Sequence, residues 1–194
     1  NKIAIQSMTN TKTEDREATL RQVRALEEAG CDIIRVSVPC AEAARTIGYL
    51  KEKGITTPIV ADIHFDHRFA VLAVEQGADK IRINPGNIGG KEALGEVCRA
   101  CRVRGIPIRI GVNSGSLERE ILSKYGAPSA EALCESALNN IALLERFDFF
   151  DIVVSIKASD VKTMIDANIL LSERSACPLH LGVTEAGAGR TGLI

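Results

Sequence analysis

The most constraining feature of this chain is a short pattern that occurs twice. Glu28-Ala29-Gly30-Cys31-Asp32-Ile33-Ile34-Arg35-Val36 and Glu75-Gln76-Gly77-Ala78-Asp79-Lys80-Ile81-Arg82-Ile83 share the form Glu-x-Gly-x-Asp-x-Ile-Arg-(Val/Ile). Each copy reads as a helix end, a glycine stop and then a strand. Gly105-Ile106-Pro107-Ile108-Arg109-Ile110 is a weaker echo. A helix–Gly–strand unit that repeats is what a parallel α/β fold produces. Strand side chains alternate between faces, so Arg35 and Arg82 point away from the isoleucines beside them. A charge turned inward from a strand is costly unless something pairs with it, and this recurring oddity is the main functional signal.

Taken in order, the chain predicts strands over 2–8, 32–38, 58–64, 80–84, 107–113, 151–157 and 178–184. Helices are expected between them, one opening with a Thr11-x-x-Glu14 capping box and one capped by Ser129. Seven βα units of even size favour a (β/α)8 TIM barrel over a doubly wound sheet. The expected fold is therefore an α/β barrel truncated after about seven units, forming one incomplete domain over residues 1–194. The missing eighth strand, and a start inside an apolar segment, suggest a longer native protein.

Composition narrows the partners. A net charge of −1 leaves no global field for nucleic acid or membrane. No apolar run approaches the ~20 residues of a membrane span, and no signal peptide is visible, so a cytoplasmic location is the default. The six cysteines, Cys31, Cys40, Cys98, Cys101, Cys134 and Cys177, are scattered and read as reduced thiols. Cys98-x-x-Cys101 lies in a predicted helix and has no second pair to complete a zinc site, so it reads as packing. No metal-ligand motif is expected.

In a barrel the functional face lies at the C-terminal ends of the strands. Period-two alternation places Arg35 and Ser37, Asp62 and His64, Arg82 and Asn84, Arg109 and Asn113, Ser155 and Lys157, and His180 and Thr184 on the inner face. The opposite phase is apolar: Ile34, Val36, Ile63, Ile81, Ile83, Ile108, Ile110, Val154, Ile156, Leu179 and Leu181. Four cations, Arg35, Arg82, Arg109 and Lys157, then share one mouth, where Asp62 alone does not neutralise them all. A polyanion does, because guanidinium forks suit phosphate oxygens. Backbone amides of residues 86–90 and 113–116 offer further donors. The plainer alternative is that each arginine pairs with a nearby acid, Arg35 with Asp62 in particular, and that His64 and His180 are hydrogen-bonded core histidines.

Six stretches carry a family resemblance. They are Gln6-Ser7-Met8-Thr9-Asn10-Thr11, Arg35-Val36-Ser37-Val38-Pro39, Ala61-Asp62-Ile63-His64-Phe65, Arg82-Ile83-Asn84-Pro85-Gly86-Asn87, Arg109-Ile110-Gly111-Val112-Asn113-Ser114-Gly115-Ser116-Leu117 and His180-Leu181-Gly182-Val183-Thr184-Glu185-Ala186-Gly187. In this order they resemble the 4-hydroxy-3-methylbut-2-enyl diphosphate synthase family. The resemblance implies reduction of 2-C-methyl-D-erythritol 2,4-cyclodiphosphate by two electrons, in isoprenoid synthesis by the non-mevalonate route. It implies ferredoxin or flavodoxin as donor and a [4Fe-4S] cluster held in a C-terminal domain absent here. A homodimer is implied for the full-length protein. Arg35, Arg82, Arg109 and Lys157 match basic substrate contacts, and Asn113 and Glu185 match other site positions. Asp62, His64, Asn84, Ser155 and His180 complete the expected substrate site, with Glu185 as the candidate proton donor. None of the six cysteines matches a cluster-ligand position, so this stretch alone is expected to bind no cluster and to be inactive. Two alternatives remain: a non-redox barrel resembling dihydropteroate synthase, a pterin-diphosphate transferase, and a catalytically inactive binding barrel.

Overall fold

The structure is a computed structural model that describes residues 3–182. It contains two compact units, Asn1–Ile108 and Arg109–Ile194. The first holds β1 (Gln6–Met8), α1 (Arg16–Glu28), β2 (Ile33–Ser37), α2 (Ala41–Glu52), β3 (Ile59–Asp62), α3 (His67–Glu75), β4 (Lys80–Ile83) and α4 (Lys91–Arg104). Its four strands pair in parallel, in chain order. That order follows from the repeat, since each helix returns the chain to the end of the sheet where the previous strand began.

The repeat has a purpose at each position. Gly30 and Gly77 end α1 and α3 with φ of +84° and +90°, a backbone region where a side chain is strained. The aspartate that follows ties its strand to the preceding one. Asp32 Oδ2 accepts the Ile5 N–H at 2.8 Å, and the Asp32 N–H donates to the Ile5 carbonyl. Asp79 Oδ2 accepts the Ile59 N–H at 2.7 Å and Lys51 Nζ at 2.6 Å, and its own N–H donates to the Ile59 carbonyl. The apolar residues after each aspartate enter the core: Ile34, Val36, Ile81 and Ile83 are wholly buried.

The second unit holds β5 (Ile108–Asn113), α5 (Arg119–Tyr125), α6 (Ala130–Glu145), β6 (Ile152–Lys157) and α7 (Val161–Arg174). β5 and β6 are hydrogen-bonded neighbours. Ser129 caps α6 as expected, its hydroxyl accepting the Ala132 N–H, and Asp160 caps α7.

Several boundaries differ from expectation. The first strand begins at Gln6 rather than residue 2. The capping box does not form, because the Thr11 hydroxyl pairs with Thr19 and Asp15 takes the N-cap, accepting the Ala18 N–H at 3.0 Å. The third and fourth strands stop at Asp62 and Ile83, so His64 and Asn84 lie just past their ends. The seventh strand reduces, among the described residues, to a parallel bridge between Leu179 and Val154. Leu179 is only half-buried and Leu181 is 65% exposed, so neither packs as the apolar phase required. Thr184 and Glu185 lie outside the described residues.

Candidate functional site, a carboxylate between two arginines

In the first unit the register settles which side chains share a face. Met8 lies across from Arg35, Arg35 from Val60, and Val60 from Lys80; two residues further along, Ser37 lies across from Asp62 and Asp62 from Arg82. Opposed residues in a sheet point to the same side, so Arg35, Asp62 and Arg82 stand together while Ile34, Ala61 and Ile81 fill the other face.

Asp62 is 1% exposed, and its side chain is the centre of the group. Arg35 Nη2 donates to Oδ2 in a short ion pair. Arg82 Nη1 donates to Oδ1 at 3.1 Å. His64 Nε2 lies 3.4 Å from Oδ2. Burial alone raises the Asp62 carboxyl, but the charges of Arg35 and Arg82 together outweigh it and hold the group below its usual value. Asp62 is thus an anion at neutral pH. Two cations and one anion leave the trio with one net positive charge. Arg35 and Arg82 remain 12% and 11% exposed. Arg35 Nε is buried without a hydrogen-bond partner among the described residues.

Asn84 shapes the loop that follows β4. Its Oδ1 accepts the Gly86 N–H at 3.1 Å and opens a short 3-10 turn over Pro85–Asn87.

In the second unit Arg109 is 1% exposed, and its Nη1 lies 3.2 Å from His180 Nδ1. A guanidinium only donates, so Nδ1 is the acceptor and a neutral ring carries its proton on Nε2. Asn113 and Lys157 are half-buried at the C-terminal ends of β5 and β6. Ser155 is buried on β6, its hydroxyl lacking a partner among the described residues. Arg35, Asp62, His64 and Arg82 are therefore brought together in one unit, and Arg109 with His180 in the other.

Lys80 was not among the expected site residues. The alternation that turns Arg82 inward turns Lys80 inward too, and the register sets it across from Val60, which itself faces Arg35. Gln6 and Met8 share that face through β1 and were likewise not expected there.

The cysteines do not form a cluster site. Cys98 and Cys101 are buried within α4, and burial pushes the Cys98 thiol up to about 11, which leaves little of the thiolate that binds iron. Among the described residues no group of three or more His, Cys, Asp or Glu side chains is arranged to hold a metal ion. The residues present do not fit an iron–sulfur cluster. Among the described residues, no helix is long and apolar enough to cross a membrane.

A parallel βα sheet with alternating helices is the arrangement of the TIM-barrel class. The GcpE TIM-barrel domain matches residues 1–194, and the chain belongs to that family. It is 57% identical over its full length to 4-hydroxy-3-methylbut-2-en-1-yl diphosphate synthase (flavodoxin) of Caldanaerobacter subterraneus subsp. tengcongensis, covering 54% of that protein. It is 57% identical to the protein of the same name from Macrococcus caseolyticus, over 96% of this chain and 50% of that protein. The chain thus spans about half the length of the curated relatives it matches. Among solved structures, dihydropteroate synthase of Xanthomonas albilineans superposes with a TM-score of 0.56 at 16% identity, over 91% of this chain and 68% of that one. At that identity the likeness shows the fold alone.

Proposed function

We propose that this chain is the diphosphate-binding part of an oxidoreductase of isoprenoid synthesis, one that converts 2-C-methyl-D-erythritol 2,4-cyclodiphosphate to (E)-4-hydroxy-3-methylbut-2-enyl diphosphate. The balanced change takes up two electrons and two protons, opens the ring and releases water. The observation that carries this reading is the 57% identity, across all 194 residues, with a protein of that name. The geometry supports it. In the first unit Arg35 and Arg82 meet around Asp62, a trio with one net positive charge; in the second unit Arg109, Lys157 and Asn113 are the expected donors. Ser155 Oγ and Arg35 Nε are buried donors without a hydrogen-bond partner among the described residues. His64 and Asn84 in the first unit and His180 in the second are the other expected substrate contacts. Flavodoxin, named in the relatives, is the proposed electron donor. The [4Fe-4S] cluster of this reading has its ligands outside residues 1–194, in a further domain of a cytoplasmic homodimer.

Glu185 is the proposed proton donor to the departing oxygen. Asp62 is its rival, but two arginines keep Asp62 ionised, which makes it a poor acid. The test uses the complete native protein with reduced flavodoxin and the cyclodiphosphate. Formation of the hydroxybutenyl diphosphate and water supports the reading, whereas transfer of a pterin group from its diphosphate to an amine, with release of diphosphate and no reduction, supports the transferase alternative. Glu185→Gln should lower the single-turnover rate at least ~100-fold with binding largely kept; near-normal turnover removes Glu185 from the mechanism.

A further inference from the structure

The carboxylate of Asp62 sits where a substrate contact was expected from the sequence, yet its surroundings suit a different role. It is 1% exposed, and both oxygens are engaged: Oδ2 by Arg35 and, at 3.4 Å, His64, and Oδ1 by Arg82. An anionic ligand gains nothing from a buried anion. The two guanidiniums repel one another, and they come from different strands, Arg35 from β2 and Arg82 from β4. β3 lies between those strands, and Asp62 is its last residue. One oxygen for each arginine fixes the distance between the forks and the way each fork faces. Each guanidinium carries five N–H donors, more than its contact with Asp62 uses, and both side chains keep some exposure.

We propose that Asp62 is a positioning residue: it touches no substrate, and it sets the spacing and orientation of Arg35 and Arg82 so that together they grip a diphosphate. This rests on the reading that these arginines bind diphosphate, and it deepens that reading. It also reverses the sign that charge alone predicts. By Coulomb attraction, removing an anion beside a diphosphate site tightens binding. By positioning, removing it lets the two cations separate and binding weakens.

The test is Asp62→Asn in the complete protein, titrated calorimetrically with inorganic pyrophosphate at fixed pH and ionic strength, below the melting temperature of both forms. The expected result is roughly tenfold weaker binding, the scale of one charge-assisted hydrogen bond, with part of the loss recovered by Asp62→Glu. The loss should be larger for pyrophosphate than for sulfate, because pyrophosphate can offer a separate phosphate group to each fork. A variant that binds pyrophosphate as well as or better than the wild type overturns the positioning role. A wild-type protein that ignores pyrophosphate overturns the diphosphate reading and this proposal with it, so the two failures are distinct. A second measurement needs no variant. Nitrogen NMR of the wild-type guanidiniums should show restricted rotation about Nε–Cζ at Arg35 and Arg82, and free rotation at both contradicts the proposal.

Discussion

Asp62 and Asp66 lie in the same short stretch of chain, and both hold arginines. Asp62 closes β3, is 1% exposed, and takes one N–H from each of two arginines on neighbouring strands. Asp66 opens α3, is 25% exposed on its side chain, and takes three contacts from the Arg68 guanidinium, two residues on, while accepting the Arg68 backbone N–H at 2.9 Å. Both carboxyls are held low. At Asp66 the Arg68 hydrogen bond lowers the group to about 2, outweighing a slight burial effect. At Asp62 burial is the largest single influence and works the other way, so two full cations are needed to reverse it. Local geometry thus gives a depressed carboxyl readily at a helix start. The buried one at Asp62 depends on arginines brought from two other strands, and a group of that kind is the better candidate for a site. Arg68, paired with the N-cap of its own helix and 77% exposed, is a helix-end feature.

The largest expected difference between the two aspartates is in stability. Asp62→Asn should cost about 3 kcal/mol at pH 7, because it leaves two partly buried guanidiniums without their counter-charge. The pH dependence has a definite sign. A carboxyl whose folded value lies below its unfolded value of about 3.9 stabilises the fold fully above that value, and the contribution disappears as pH falls through the folded value. The gap between wild type and variant in denaturant titrations should therefore be constant from pH 7 down to about 5 and close below about 4. A gap that widens with acid would contradict the ion-paired assignment of Asp62. Asp66→Ala should cost less, about 1 kcal/mol, the usual loss for an N-cap, with no change in pyrophosphate affinity. A thermal melt beside the titration checks both parts; an affinity loss as large as that of Asp62→Asn would mean that the start of α3 belongs to the site.

Much of this was legible in the sequence, for specific reasons. The Glu-x-Gly-x-Asp-x-Ile-Arg repeat disclosed the parallel βα order, because glycine past a helix end and alternation along a strand are both local properties. Alternation likewise placed Arg35, Asp62 and Arg82 on one face, and the Arg35–Asp62 pair was among the expected alternatives. The remainder depended on partners distant in sequence. Thr11 has the spacing of a capping box, but Thr19 competes for its hydroxyl. The repeat aspartates, Asp32 and Asp79, receive their role from Ile5, just before β1, and Ile59 on β3. Lys80 was obscured by the repeat itself, whose first copy carries the apolar Ile33 at the same position. Leu179 and Leu181 fit the alternation of a strand, but only Leu179 forms a bridge among the described residues.

Arginines gathered around Asp62 should bind the diphosphate, and arginines paired locally should not. The direct measurement is the affinity of the complete protein for the cyclodiphosphate in wild type, Arg82→Ala and Arg68→Ala. A charge-assisted contact contributes roughly 1.5–3 kcal/mol, so Arg82→Ala is expected to weaken binding by about one to two decades and Arg68→Ala to leave it within about twofold. Equal affinity in all three, or a loss at Arg68 matching that at Arg82, would contradict it.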